Sequence, residues 1–97
     1  MPRDSAEPVI ARRYFIRGRV QGVGFRYFVE INAHELGITG YTRNLDDGRV
    51  EVYAVGRPKQ LAEFLGRLWR GPRWADVRGV EDQEAAVESR AGFRIVG

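Results

Sequence analysis

The feature that most constrains the fold is a glycine-rich stretch at residues 16–26, Ile-Arg-Gly-Arg-Val-Gln-Gly-Val-Gly-Phe-Arg, which leads from a β-like run into a helical pattern. Glycine permits sharp turns and lets backbone N–H groups approach a ligand closely. The helix that follows directs its unpaired N–H groups and the positive end of its dipole at the same place. Arg26 adds a planar cation that suits two phosphate oxygens, although a cation is otherwise disfavoured at a helix N-terminus. The stretch therefore predicts an anion-binding site at the start of a helix.

The composition is that of one ordinary globular domain, with 97 residues of which 43% are hydrophobic and 30% are charged. The absence of cysteine excludes disulfides, thiolate metal sites and cysteine nucleophiles. No apolar run approaches the length of a membrane span and no signal-peptide pattern opens the chain, so we expect a cytoplasmic protein. The net charge of +3 favours the approach of anionic ligands but does not by itself indicate nucleic-acid binding.

Hydrophobic periodicity predicts the order strand, helix, strand, strand, helix, strand and a brief terminal strand. Residues 1–10 carry two prolines and no periodicity, so we expect a flexible tail there and one domain over residues 11–97. The Asp47-Gly48 pair predicts a hairpin between the second and third strands, since glycine accepts the positive φ of such a turn. This order indicates an α+β sandwich with both helices on one face of a mainly antiparallel sheet. The predicted strands are residues 11–20, 39–43, 49–55, 77–84 and 93–96. The first helix is predicted over residues 25–36, and the second begins within residues 56–58 and ends at the Gly-Pro pair of residues 71–72.

Two ordered motifs carry a resemblance to a known family. The first has the pattern aliphatic-x-Gly-x-Val-Gln-Gly-Val-x-Phe-Arg, which residues 16–26 match without departure. The second begins with Gly-Tyr-Thr-Arg-Asn at residues 40–44 and continues at the family's spacing as far as Gly56. On these motifs the chain closely resembles the acylphosphatase family, and its one departure, Thr42, falls on a strand position and not on a catalytic group. The resemblance covers about residues 11–97 and implies the family's ferredoxin-like fold.

The resemblance implies an enzyme that hydrolyses the carboxyl–phosphate bond of an acyl phosphate, giving a carboxylate and inorganic phosphate without a metal or cofactor. It implies that Arg26 binds the phosphoryl group and that Asn44 orients the attacking water. It also implies that the backbone of one loop holds the phosphoryl oxygens, the loop being Gln21, Gly22, Val23, Gly24, Phe25 and Arg26. We therefore expect a monomer that acts on a small acyl phosphate and binds neither nucleic acid nor a membrane.

The strand order expected for this fold agrees with these roles. The first two strands run parallel with another strand between them, so their C-terminal ends share one edge of the sheet, about 10 Å apart. Arg26 follows the first strand and Asn44 closes the second. Phosphoryl transfer mainly requires positioning and charge stabilisation, which fixed N–H donors and a guanidinium supply. We therefore expect the two side chains to face one small ligand across that gap.

Each candidate residue also has a less specific interpretation. Arg26 could be a solvated surface arginine, and Asn44 could be a turn residue before the Asp-Asp-Gly sequence. Asp46 and Asp47 could form a carboxylate pair, but adjacent carboxylates in a tight turn are better interpreted as turn formers. His34 is interpreted as incidental, because a single helix-surface histidine has no partner for acid–base work.

An RNA-binding module is the main alternative function, because the RNA recognition motif shares this element order and residues 21–28 echo its aromatic octamer. That stretch precedes the first helix, whereas the octamer belongs on the third strand, where only Tyr53 is aromatic. Trp69 and Trp74 are predicted to pack against or cover the core and not to form a stacking platform. A non-catalytic phosphate-binding module is the other alternative.

Overall fold

The computed structural model describes residues 8–97 and contains the seven predicted elements in the predicted order. They are β1 (Ile10–Arg19), α1 (Phe25–Leu36), β2 (Thr39–Asn44), β3 (Val50–Gly56), α2 (Pro58–Arg70), β4 (Asp76–Ala85) and β5 (Phe93–Ile95). Most of the predicted tail, residues 1–7, lies outside the described residues, and β1 begins one residue before its predicted start. Neither helix combines the length and the apolar character that crossing a membrane requires, within residues 8–97.

The five strands form one mixed sheet in the order β4-β1-β3-β2-β5. Strand β3 is antiparallel to both β1 and β2, so β1 and β2 are parallel to each other with β3 between them. Ile16 of β1 and Asn44 of β2 are both paired with Val50 of β3. The C-terminal ends of β1 and β2 therefore share one edge, two strand spacings or about 10 Å apart. This is the ferredoxin-like arrangement, and it confirms the predicted fold class.

Both helices lie on one face of this sheet, as predicted. Helix α1 lies between Gly24 and Gly37, whose left-handed φ angles of 80° and 70° start and stop it at its predicted ends. Alternate residues of β1 and β3 point to the helices and form one core with them. The large or central members of that core are Tyr14, Ile16, Phe25, Val29, Val50, Val52, Leu61, Phe64, Leu68 and Phe93.

The opposite face of β3 is also buried, which simple alternation of apolar and polar residues does not predict. Glu51 accepts a hydrogen bond of 2.7 Å from Nη1 of Arg13 and is also paired with Arg43. The hydroxyl of Tyr53 donates to the carbonyl of Ala86 at 2.6 Å and accepts from the backbone N–H of Glu88 at 2.8 Å. Every residue of β3 is buried as a result.

Thr42, the departure from the family motif, is fully buried within the sheet. Its hydroxyl donates to the carbonyl of Glu51 at 2.8 Å, so the polar group is satisfied inside the core.

The prediction of a packing role is wrong for Trp74, which is 70% exposed and whose ring contacts the Arg73 guanidinium. Trp69 is about half exposed. The buried residues of α2 are Leu61, Phe64 and Leu68, so Trp69 lies at the margin of the apolar face and not at its centre.

Candidate functional site

A cavity of about 180 Å³ lies at the edge of the sheet where β1 and β2 end. It brings together the two candidate side chains, Arg26 and Asn44, which the sequence places on different elements. The other lining residues come from the β1–α1 loop, the start of α1 and β5. The complete lining is Val20, Gly22, Gly24, Phe25, Arg26, Tyr27, Asn44 and Ile95.

The β1–α1 loop has the backbone conformation that the glycine-rich motif predicts. Gly22 and Gly24 have φ angles of 77° and 80°, a left-handed region in which other residues are strained. A Cβ atom at either position would meet no atom within 4 Å, so the requirement for glycine is conformational and not steric. The loop consequently turns sharply while leaving its cavity side open to a ligand.

The start of α1 presents unneutralised positive charge to the cavity. No side chain caps the helix, and its first turn contains no acidic residue. The first backbone N–H groups of an α-helix have no intrahelical acceptor, and the helix dipole adds a partial positive charge there. Arg26 lies in this same turn, and among residues 8–97 no carboxylate lies within ion-pair distance of its guanidinium. The combination favours an anion in the cavity.

Asn44 is the last residue of β2, not a turn residue. Its Oδ1 atom is buried and accepts no hydrogen bond within residues 8–97. A buried acceptor without a donor is uncommon and costs about 1–3 kcal/mol of stability. Asn44 itself lines the cavity, so the side chain that carries this unpaired acceptor borders the space in which a ligand would lie.

The turn itself is formed by the residues that follow Asn44. The N–H of Leu45 donates to the carbonyl of Arg49 at 2.8 Å, and the N–H of Gly48 donates to the carbonyl of Leu45 at 3.2 Å. The Asp47 carboxylate accepts hydrogen bonds from the backbone N–H of Arg49 at 3.1 Å and from its Nε at 2.9 Å. These bonds, the backbone one first, lower the pKa of Asp47. Asp47 is therefore a turn former, as predicted.

The β2–β3 turn is fastened to the β1–α1 loop by the side chain of Gln21. Its Nε2 donates to the carbonyl of Leu45 at 2.8 Å and to that of Arg49 at 3.0 Å. The sequence assigned only the backbone of Gln21 to the site, and its side chain does not line the cavity. A long amide in a loop of small residues, with no partner nearby in sequence, was the signal that could have indicated this contact.

The predicted loop residues Gln21 and Val23 and the rejected candidate His34 do not line the cavity. Val23 is partly buried and packs against the core, and so contributes to the loop only through its backbone. His34 is exposed on α1, and its Nε2 lies 3.2 Å from the carbonyl of Phe93. Sequence reasoning missed Val20, which lines the cavity just after β1, and Tyr27 and Ile95, which line it from α1 and β5. Tyr27 follows Arg26 directly, but only the fold brings Ile95 to this edge.

The RNA-binding alternative would require an accessible aromatic residue on β3 for base stacking, and β3 does not present one. Tyr53, the aromatic residue of β3 on which base stacking would depend, has no exposed surface. Its ring is covered by the stacked ring of Tyr41 and by the guanidinium of Arg13. A base could reach this ring only if that packing opened.

The comparisons with known proteins agree with the fold. The family model described as Acylphosphatase matches residues 12–95. The acylphosphatase of Solibacter usitatus is 61% identical over 95 residues, which cover 98% of this chain and 99% of that relative. The crystal structure of acylphosphatase from Bacillus subtilis superposes with a TM-score of 0.89 at 36% identity, covering 93% of this chain and all of that one.

The same fold also occurs as part of a larger protein. The crystal structure of full-length HypF in its phosphate- and nucleotide-bound form matches 98% of this chain, with a TM-score of 0.87 and 26% identity. The match covers only 13% of the HypF chain, whereas the Solibacter and Bacillus proteins are matched over essentially their whole length. By both its sequence and its structure, this chain belongs to the acylphosphatase family.

Proposed function

We propose that this protein hydrolyses acyl phosphates, breaking the bond between phosphorus and the carboxylate oxygen. The observation that carries the proposal is that Arg26 and Asn44, whose Oδ1 is unpaired within residues 8–97, line the same cavity beside the open start of α1. A cation with backbone donors suits a phosphoryl group, and a free acceptor suits a water molecule. The family membership of the chain supports the same reaction.

In this proposal the phosphoryl oxygens are bound by Arg26 and by the backbone N–H groups of the Gln21–Arg26 loop. The transition state of phosphoryl transfer is loose and spreads negative charge over the equatorial oxygens. Donors that are already oriented stabilise this charge without having to reorganise. The guanidinium and the N–H groups supply the positive charge themselves, so the proposed reaction uses no metal and no cofactor.

The attacking water donates a hydrogen bond to Oδ1 of Asn44, which fixes its approach to phosphorus. As the new P–O bond forms, the bond to the acyl oxygen breaks and the carboxylate leaves with the bonding electrons. Carboxylic acids have pKa values near 4, so this leaving group needs no protein acid. The eight residues that line the cavity include no carboxylate and no imidazole. The water proton therefore passes to a phosphoryl oxygen, giving inorganic phosphate.

The acyl group extends from the cavity across Tyr27 and Ile95, which are 64% and 37% exposed. The cavity, at about 180 Å³, is smaller than the roughly 300–1,000 Å³ typical of sites that enclose a drug-sized ligand. It suits the phosphoryl end of the substrate, and the remainder lies on this apolar rim. Among the described residues that line the cavity, Arg26 alone is charged and the phosphoryl group takes up its charge in this proposal, so an uncharged acyl group fits the rim best.

The test is hydrolysis of benzoyl phosphate in the presence of EDTA, comparing the wild type with Asn44→Ala and Arg26→Ala. Loss of kcat in the first variant and of both binding and rate in the second supports the assigned roles. Arg70→Ala, which removes an exposed arginine at the end of α2, is the matched control and keeps full activity. Full activity in Asn44→Ala and Arg26→Ala would refute these site residues. Phosphate binding by a folded but inactive wild type would favour the non-catalytic phosphate-binding module.

A further inference from the structure

The side chain of Gln21 bridges the two parts of the cavity that come from different regions of the chain. It leaves the β1–α1 loop and donates both N–H bonds of its amide to main-chain carbonyls of the β2–β3 turn, at 2.8 and 3.0 Å. The neighbouring residues Gly22 and Gly24 have no side chain with which to make such a contact. Val23 packs against the core instead. Gln21 is therefore the loop side chain that is bonded to the turn.

The two carbonyls that Gln21 binds lie immediately next to Asn44 in the hairpin. One belongs to Leu45, which follows Asn44 in sequence. The other belongs to Arg49, which precedes Val50, the residue that pairs with Asn44 across the ladder. The amide thus holds both strands of the hairpin one residue beyond the Asn44–Val50 pair. The side-chain oxygen of Asn44 has no hydrogen bond of its own to fix its position within residues 8–97.

We propose that Gln21 is a positioning residue, which fixes the distance and angle between the phosphate-holding loop and Asn44. This inference rests on the function proposed above, in which the loop holds the phosphoryl group and Asn44 orients the water. Without the bridge, the loop and the hairpin are still held by their own strands, but they can shift relative to each other. A misplacement of reacting groups by about 1 Å can reduce the rate of a reaction by about 100-fold. Gln21 acts on the rate through Asn44 and does not touch the substrate with its side chain.

The chain contains a matched control for this role in Gln60. Its Nε2 donates to the carbonyl of Leu36 at 2.7 Å, and its Oε1 accepts from the backbone N–H of Arg57 at 2.8 Å. Gln60 therefore also bridges two elements with two main-chain hydrogen bonds. It does so at the start of α2, at the opposite end of β3 from Asn44. Both glutamines can be changed to methionine, which has similar length and no amide.

The experiment measures kcat and the inhibition constant for inorganic phosphate in the Gln21→Met and Gln60→Met variants, alone and combined with Asn44→Ala. Gln21→Met is expected to lower kcat about 10-fold and to leave the phosphate inhibition constant within about twofold. Gln60→Met leaves kcat within about twofold, although urea unfolding shows a comparable loss of stability in both variants. In the Asn44→Ala background, Gln21→Met has less than a twofold further effect, because the residue through which it acts is gone.

Two results would overturn the inference. One is an unchanged kcat in Gln21→Met. The other is that Gln21→Met lowers kcat by the same factor in the wild type and in Asn44→Ala, which would mean that Gln21 acts independently of Asn44. If Gln21→Met does not fold, Gln21→Asn replaces it, since its amide is one methylene too short to reach both carbonyls.

If the wild type does not hydrolyse benzoyl phosphate, the proposed function fails and the bridge is judged by NMR alone. The ¹⁵N–¹H signals of the Asn44 amide then move in Gln21→Met and not in Gln60→Met, and their failure to move refutes the bridge.

Discussion

Ile16 and Asn44 lie on either side of Val50, and each is paired with it in the sheet. Ile16 opens the glycine-rich motif, and Asn44 closes the Gly-Tyr-Thr-Arg-Asn motif. The register of three strands therefore sets how far the start of α1, which carries Arg26, lies from the amide of Asn44. Changes that leave the register intact should separate the contributions of these residues to activity and to stability.

Replacing Asn44 by alanine is expected to reduce activity without reducing stability. The loss of the proposed water contact should lower kcat for benzoyl phosphate by about 10²–10³, as is found when one oriented donor or acceptor is removed from an active site. The free energy of unfolding should stay equal or rise by up to about 1 kcal/mol, because a buried, unpaired acceptor is removed. Steady-state kinetics and urea unfolding of the same preparation measure both quantities.

Asn32→Ala is the control for that prediction. The amide of Asn32 donates to the carbonyl of Phe28 at 2.7 Å and accepts from Arg67 at 2.8 Å, so its hydrogen bonds are made within the protein. Its removal should lower the free energy of unfolding by about 1–3 kcal/mol and leave kcat unchanged at temperatures where the variant is folded. A large loss of stability in Asn44→Ala would contradict the interpretation of its unpaired oxygen.

Inorganic phosphate is expected to stabilise the wild type but not Arg26→Ala. A ligand that binds only the folded state adds RT ln(1 + [L]/Kd) to the free energy of unfolding, which is about 1.4 kcal/mol at ten times Kd. Arg26 supplies the side-chain cation of the cavity, so its removal should abolish most of this gain. Thermal unfolding with and without phosphate measures the difference, with Arg70→Ala as the variant that keeps it. An equal phosphate shift in Arg26→Ala would place the anion elsewhere.

Tyr27→Ala is expected to affect the substrate in proportion to the size of its acyl group. Contacts between aromatic rings contribute about 0.5–1.5 kcal/mol beyond burial, so kcat/KM for benzoyl phosphate should fall about 2- to 10-fold. Acetyl phosphate, which barely reaches the exposed ring, should lose less than about twofold by the same reasoning. Tyr27→Phe keeps the ring and should keep both rates. Equal losses for the two substrates would show that the ring does not contact the acyl group.

The stability of the fold is expected to fall at high pH because of Tyr14. Burial, with a smaller contribution from Asp82, raises the pKa of Tyr14 well above its usual value. The folded state therefore keeps this proton while the unfolded state loses it above about pH 10, so the unfolded state binds fewer protons and stability decreases as pH rises. Tyr14→Phe has no phenolic proton to lose, so its stability does not carry this pH dependence. Urea unfolding between pH 9 and 11 should show the wild type losing up to about 1.4 kcal/mol per pH unit more than the variant.

The sequence was sufficient for the elements and for the main site residues that the cavity brings together. The bounds of α1 were predicted because two glycines with left-handed φ enclose it, and the hairpin because Asp47 and Gly48 form its turn. The catalytic roles of Arg26 and Asn44 stay predictions until the variants are assayed. Their meeting in one cavity followed from the strand order that the motifs implied.

Other features depend on contacts between residues far apart in the chain, which a local pattern does not contain. The side-chain bridge from Gln21 to the turn and the placement of Ile95 at the cavity arise only when the sheet is assembled. The burial of both faces of β3 depends on the segment near Ala86, whose position no periodicity indicates. Trp74 shows the opposite error, because its apolar character predicted packing although it lies in the turn between α2 and β4, where most of its surface is exposed.

The carboxylate of Glu51 binds Arg13 of β1 and Arg43 of β2 on the face of the sheet away from the helices. Neighbouring residues of a strand point to opposite faces, so Arg43 and Asn44 occupy alternate phases of β2. If β2 paired one residue out of step, Arg43 would take the place of Asn44 at the cavity, and the Arg43–Glu51 ion pair would break, while the pair between Glu51 and Arg13 of β1 would remain. The charges on the face of the sheet away from the helices therefore help to specify the register of β2. A slip that moved Asn44 away from the cavity would also break the ion pair between Arg43 and Glu51.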